Sequence, residues 1–136
     1  MLKLYHIYLL RFIATAVTAG SLRDIISGKY TGPHVGSRVE IIQQIANGLA
    51  QLHAKQCFHG VLKPSNILIS LAVGSTPPMM KLANFAFVPV RKTKSQSPFW
   101  KNVLKSGSSR SWLPPEIYHS NCFTFEMDVF VCGLIL

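Results

Sequence analysis

The stretch CFHGVLKPSNILIS, residues 57–70, places an imidazole at His59, an ammonium at Lys63 and a carboxamide at Asn66 within eight positions, in wording that reads as an enzyme's catalytic loop. Between the imidazole and the ammonium stands Val61, where a carboxylate would complete an acid–base set. An isopropyl group can accept neither a proton nor a hydrogen bond. The loop thus has the outline of a catalytic site without its base, and the elements around it must say what it is for.

The chain has 136 residues, about one domain, and 49% of them are hydrophobic, enough for a core and too apolar for a disordered tail. Fourteen Lys and Arg against five acids give a net charge of +9, which favours anionic partners where the charge is clustered. It is clustered in RKTKSQSPFWKNVLKSGSSR, residues 91–110, which holds six basic residues and no acid, with Phe99 and Trp100 among them. Such a segment can serve a nucleic acid, and a solvated loop with a docked Trp reads identically. Cys57, Cys122 and Cys132 are an odd number without C-x-x-C spacing, so neither a disulfide framework nor a zinc site is expected, and a reducing, cytoplasmic setting is.

The opening MLKLYHIYLLRFIATAVTAG reads either as a signal peptide or as two short strands. Arg11 interrupts the apolar run, and the strand reading is preferred. TAGS, residues 18–21, then carries turn chemistry. Ser21 is the expected N-cap of a short helix in LRDIISGK that stops near Gly28. SRVEIIQQIANGLAQLHAKQ predicts an amphipathic helix of about five turns. Ser37 and Glu40 form its capping box, Val39, Ile42, Ile45, Ala46, Leu49 and Leu52 its apolar stripe, and Gln43, Gln44 and Gln51 fall outside that stripe. NILIS and MMKLANF predict a hairpin, and the closing VFVCGLIL is too short to cross a membrane.

In this order, the helix ending LHAKQCFHG, the runs LKPSN and ILIS, the strand ending NFA, and later WLPPE and DVFVCG resemble the protein kinase pattern H-R-D-L-K-P-x-N, D-F-G, A-P-E and Asp-x-x-x-x-Gly. The wording is most similar to the inositol-requiring kinase-endoribonucleases and the related 2-5A-dependent ribonuclease. The resemblance implies an α+β, protein kinase-like fold: an incomplete, mostly helical large lobe over residues 18–136, with remnant small-lobe strands over 1–17 and the hinge at 18–21. The Gly-rich loop, the phosphate-binding strand Lys and any ribonuclease module are expected outside this sequence.

By the same resemblance, His59 and Phe85 are structural, packing as members of the apolar spine, and Gly60 stands where an arginine would receive an activation-loop phosphate. Val61 replaces the catalytic aspartate, whose general-base role is typically worth about 10²- to 10⁴-fold. Lys63 and Asn66 are the candidate contacts to nucleotide phosphate and metal, or persist for the shape of the loop. Asn84 replaces the D-F-G aspartate, leaving Asn66 and Asn84 as a degenerate metal pair, since magnesium favours carboxylate and phosphate oxygens. Glu116 matches the end of A-P-E, and Asp128 the carboxylate that accepts hydrogen bonds from the catalytic-loop backbone. No catalytic position is intact. The expected function is that of a pseudokinase, a binding or scaffold piece with ATP as the one cofactor left open and magnesium disfavoured. Its expected partners are another kinase-like protein or the remainder of the domain. The alternatives are part of an active serine/threonine kinase-endoribonuclease of the unfolded-protein-response sensor type, and a basic nucleic-acid-binding module.

Overall fold

The computed structural model of the chain describes residues 18–71, 77–84, 105, 107–119 and 124–135. The expected strands of residues 1–17, Phe85 and nearly all of the basic segment up to residue 106 lie outside these described residues. The chain divides into two compact units, one of residues 1–51 with 64–84, the other of residues 52–63 with 85–136.

The first unit is built on a three-stranded antiparallel sheet in the order β1-β2-β3, with β1 Thr18–Ser21, β2 Ile67–Ser70 and β3 Met79–Leu82. The expected hairpin is β2-β3, in the register Ile67↔Leu82 to Ser70↔Met79. Ile67 and Ile69 are buried on one face and Leu68 and Ser70 half-buried on the other, the period-two pattern of a strand with unequal faces. Residues 18–21, read from their composition as a turn, form strand β1 instead. Ladder bonds to β2 outweigh the local signal, and a register shift between Thr18 and Gly20 absorbs the glycine, whose φ of 147° few other residues tolerate.

Helix α1, Leu22–Ile26, starts where the N-cap was expected. The Asp24 carboxylate accepts from both the backbone N–H and the hydroxyl of Ser21, each at 2.7 Å. Gly28, at φ 69°, follows the helix in the left-handed conformation common after a C-cap. Helix α2, Arg38–Ala54, has the predicted capping box: Ser37 N–H donates to Glu40 Oε2 and the Glu40 N–H to Ser37 Oγ. Its buried line is Ile45, Gly48, Leu49 and Leu52, and the stripe read from sequence is corrected at two positions, since Val39 is 62% exposed and Ala46 is exposed as well. Gln44 is also more than a polar-face residue, because its Oε1 accepts the Met80 N–H at 2.7 Å.

These caps carry a pH dependence. The Ser21 and Ser37 donors hold the Asp24 and Glu40 carboxyls below their ordinary values. A carboxylate with a depressed folded-state pKa contributes stability that is present above its unfolded value and lost as pH falls through the folded one. Helix content measured by circular dichroism should therefore decline as pH falls below about 4. The combined replacement of Asp24 by Asn and Glu40 by Gln should flatten that decline. An unchanged acid profile would show that the caps contribute nothing.

The second unit begins with the last turn of α2 and includes helix α3, Gly107–Arg110, a 3₁₀ turn at Pro115–Tyr118 and helix α4, Phe125–Ile135. The end of the basic segment is therefore helical rather than loop, and Ser109 within it is buried. Leu52, Cys57, Phe58, Leu62, Pro114, Ile117, Met127 and Val131 are this unit's buried apolar and proline residues among those described. Among the described residues no helix is long and apolar enough to cross a membrane.

Candidate functional site

In the second unit the loop that follows α2 is tied to α4 through one buried carboxylate. Asp128 is 2% exposed, and its two oxygens collect three donors. The His59 N–H reaches Oδ2 at 2.7 Å, the Gly60 N–H reaches Oδ1 at 2.9 Å, and His53 Nε2 lies 2.9 Å from Oδ2. The next amide, of Val61, makes a longer contact of 3.4 Å with His59 Nδ1, so three successive loop N–H groups point at side-chain acceptors. The backbone can do this because Gly60 adopts φ 77°, a left-handed conformation open to glycine at no steric cost. A buried anion is tolerated only where charge-assisted hydrogen bonds replace its water, and the three donors supply them.

Lys63, half-buried, donates from Nζ to Ser109 Oγ at 3.0 Å. Val61 is half-buried, and the side chain it brings to the loop has no proton-accepting atom. Beside the loop a small recess is walled by Gly60, Leu62, Trp112, Pro114, Ile117 and Met127. Glu116 lies exposed in the 3₁₀ turn, and the Arg110 guanidinium sits 5.8 Å from the centroid of the Tyr118 ring. The Cys57 thiol is pushed up by burial, and that of Cys132 by burial first and by the Asp128 charge second, so neither is an activated nucleophile.

In the first unit, Asn66 ends a 3₁₀ turn at Pro64–Asn66 and is buried, while Asn84 follows β3 at a left-handed φ of 57°. The turn is fastened to the strand by the Ala83 N–H donating to the Asn66 carbonyl at 2.9 Å. The side chains meet directly: Asn84 Nδ2 donates to Asn66 Oδ1 at 3.1 Å. Two amides joined in this way always set one nitrogen against one oxygen, whichever way each is turned. The pair is neutral, and the two atoms that face each other include a single oxygen. Among the described residues no cluster of three or more His, Cys, Asp or Glu could hold a metal ion.

The structure thus brings Asn66 to Asn84, and His59 to Asp128, while Phe85 is not among the described residues. Two residues of these constellations were not singled out in the sequence. Ser109 gave no signal there. His53 had a weak one, as a basic residue in the last turn of a helix, but nothing local connects it with a carboxylate 75 positions away.

The chain is similar to known proteins over most of its length. The chain is 29% identical over 119 residues to a putative serine/threonine-protein kinase/receptor of Acanthamoeba polyphaga mimivirus, which covers 86% of it. It is 36% identical over 95 residues, 70% of the chain, to the serine/threonine-protein kinase atg1 of Dictyostelium discoideum. It is 27% identical over 132 residues, 92% of the chain, to the serine/threonine-protein kinase/endoribonuclease ire-1 of Caenorhabditis elegans. The chain spans only 6% of the first of these relatives and 13% of the other two. Residues 4–136 match the protein kinase domain, and the chain belongs to that family.

Proposed function

We propose that the chain is a pseudokinase, a kinase-family domain piece that binds or scaffolds rather than transfers phosphate. The observation that carries this reading is the amide-to-amide hydrogen bond between Asn84 and Asn66. At the two positions where the family resemblance puts the metal ligands, a neutral pair spends its oxygen on an internal bond. Magnesium seeks carboxylate and phosphate oxygens in near-octahedral array, and this pair offers no charge to hold it. Val61 adds a second deficit, the missing proton acceptor, which by itself is worth about 10²- to 10⁴-fold in rate. Lys63 and Asn66 then serve the shape of the loop and, at most, contact a nucleotide held without metal. On this reading residues 18–136 are the large-lobe portion and the site of action is cytoplasmic.

The test is transfer of labelled phosphate from ATP to a generic Ser/Thr peptide by the full chain with magnesium present. No transfer above the protein-free control is expected, and any thermal shift produced by ATP should be unchanged by EDTA. Magnesium-dependent turnover that disappears in Lys63→Ala would overturn the proposal.

A second reading has support of its own. The match to ire-1 spans 92% of the chain, and the run GLAQLHAKQCFHGVLKPSNILIS resembles the wording of the kinase-endoribonucleases. On that reading the chain is a portion of an active sensor of that type. Coding sequence flanking these residues that supplies a Gly-rich loop, a strand Lys and a ribonuclease domain would favour it over the first. Selective RNA binding by residues 91–110 would favour the nucleic-acid module instead.

A further inference from the structure

Residues that face each other across antiparallel strands put their side chains on the same side of the sheet. Ser21 faces Leu68 and Leu68 faces Lys81, so a hydroxyl, an isobutyl group and an amine stand in one row across β1, β2 and β3. Thr18, Ser70 and Met79 form the next row on that side. Lys81 is the one charged residue of the two rows, and it is half-buried. The first unit holds two acids in all, Asp24 and Glu40. Both are engaged elsewhere, Asp24 by Ser21 at the far end of the row, two strand spacings or roughly 9–10 Å from Lys81, and Glu40 by Ser37. The ammonium therefore loses water without gaining a counter-charge. Burial alone draws the Lys81 amine below its ordinary value, which enlarges the neutral fraction near neutral pH. Lysines desolvated beside apolar groups are the ones that serve as nucleophiles.

We propose that Lys81 is an acyl-acceptor amine, a modification site that takes a small acyl group such as acetyl from a thioester donor. The nitrogen lone pair forms a bond to the carbonyl carbon as the carbon–sulfur bond breaks. The sulfur leaves as thiolate, and the proton released by nitrogen passes to it or to solvent, with nothing oxidised or reduced. The product is a neutral amide, which suits a half-buried face better than an ammonium without a counter-charge. The role stands apart from phosphate transfer, because neither metal nor nucleotide enters the step.

The test exposes the full chain to S-phenyl thioacetate near neutral pH and follows each lysine by peptide mass spectrometry. Lys81 should be acetylated at least about threefold faster than the exposed Lys29 and Lys55, the mark of an amine activated by desolvation. In denaturing urea the three should react alike, because the advantage belongs to the fold and not to the neighbouring sequence. Leu68→Ala removes the apolar neighbour of the amine, and in that variant, with its helix content verified by circular dichroism, the rate at Lys81 should fall toward those at Lys29 and Lys55. Acetylation of Lys81 no faster than that of Lys29 and Lys55 in the folded parent chain would overturn the proposal. An advantage that persists in urea, or undiminished in folded Leu68→Ala, would overturn it as well.

Discussion

Replacing Asp128 with alanine should destabilise the second unit by about 3–5 kcal/mol, the usual cost of removing one partner from a buried charged constellation. The carboxylate is almost fully enclosed and accepts from His53, His59 and Gly60, so its loss leaves three donors without an acceptor in a space water does not readily reach. The expected result is a lower midpoint in urea and early proteolytic cleavage in the 57–63 loop. Asp128→Asn should fall between, because a carboxamide keeps one acceptor but turns an NH₂ toward a backbone donor. An Asp128→Ala chain as stable as the parent would mean that the loop is held by packing alone.

The second large effect separates two residues that the sequence assigns to one stripe. Leu52 is fully buried, and Leu52→Ala should cost about 2–5 kcal/mol through lost apolar contact and the cavity left behind. Val39, thirteen positions earlier on the same helix, is 62% exposed, and Val39→Ala should change stability by no more than about 0.5 kcal/mol. Parallel chemical denaturation of the two variants checks this. Equal losses would indicate that α2 buries its first turn as well as its last.

That contrast shows which parts of the fold were legible. The capping box at Ser37 and Glu40 joins residues three apart, and its geometry follows from helix periodicity alone. The stripe was right at Ile45, Leu49 and Leu52 and wrong at Val39 and Ala46, because periodicity finds a face but neither its exact edge nor how far along the helix it is covered. Strand β1 was hidden for a related reason. Thr18–Ser21 has the composition of a turn, and its pairing to β2 depends on residues some fifty positions away. At the candidate site the family resemblance pointed to Asn66, Asn84, His59 and Asp128 individually. It could not show that the two amides bond each other, nor that His53 completes the set around Asp128. Those facts belong to long-range contacts, which only the folded chain brings together.

The bond from the Met80 N–H to Gln44 bears on how the chain behaves among other copies of itself. Among the described residues strand β3 lies at one edge of the sheet, where an outward N–H is a ready template for another strand. A helix side chain already occupies that donor, so a carboxamide blunts this strand alongside the charge that Lys81 carries on it. The same Gln44 that reads in the sequence as a neutral surface position is thus a gatekeeper against edge-to-edge association, and substitutions there bear on solubility before they bear on any site.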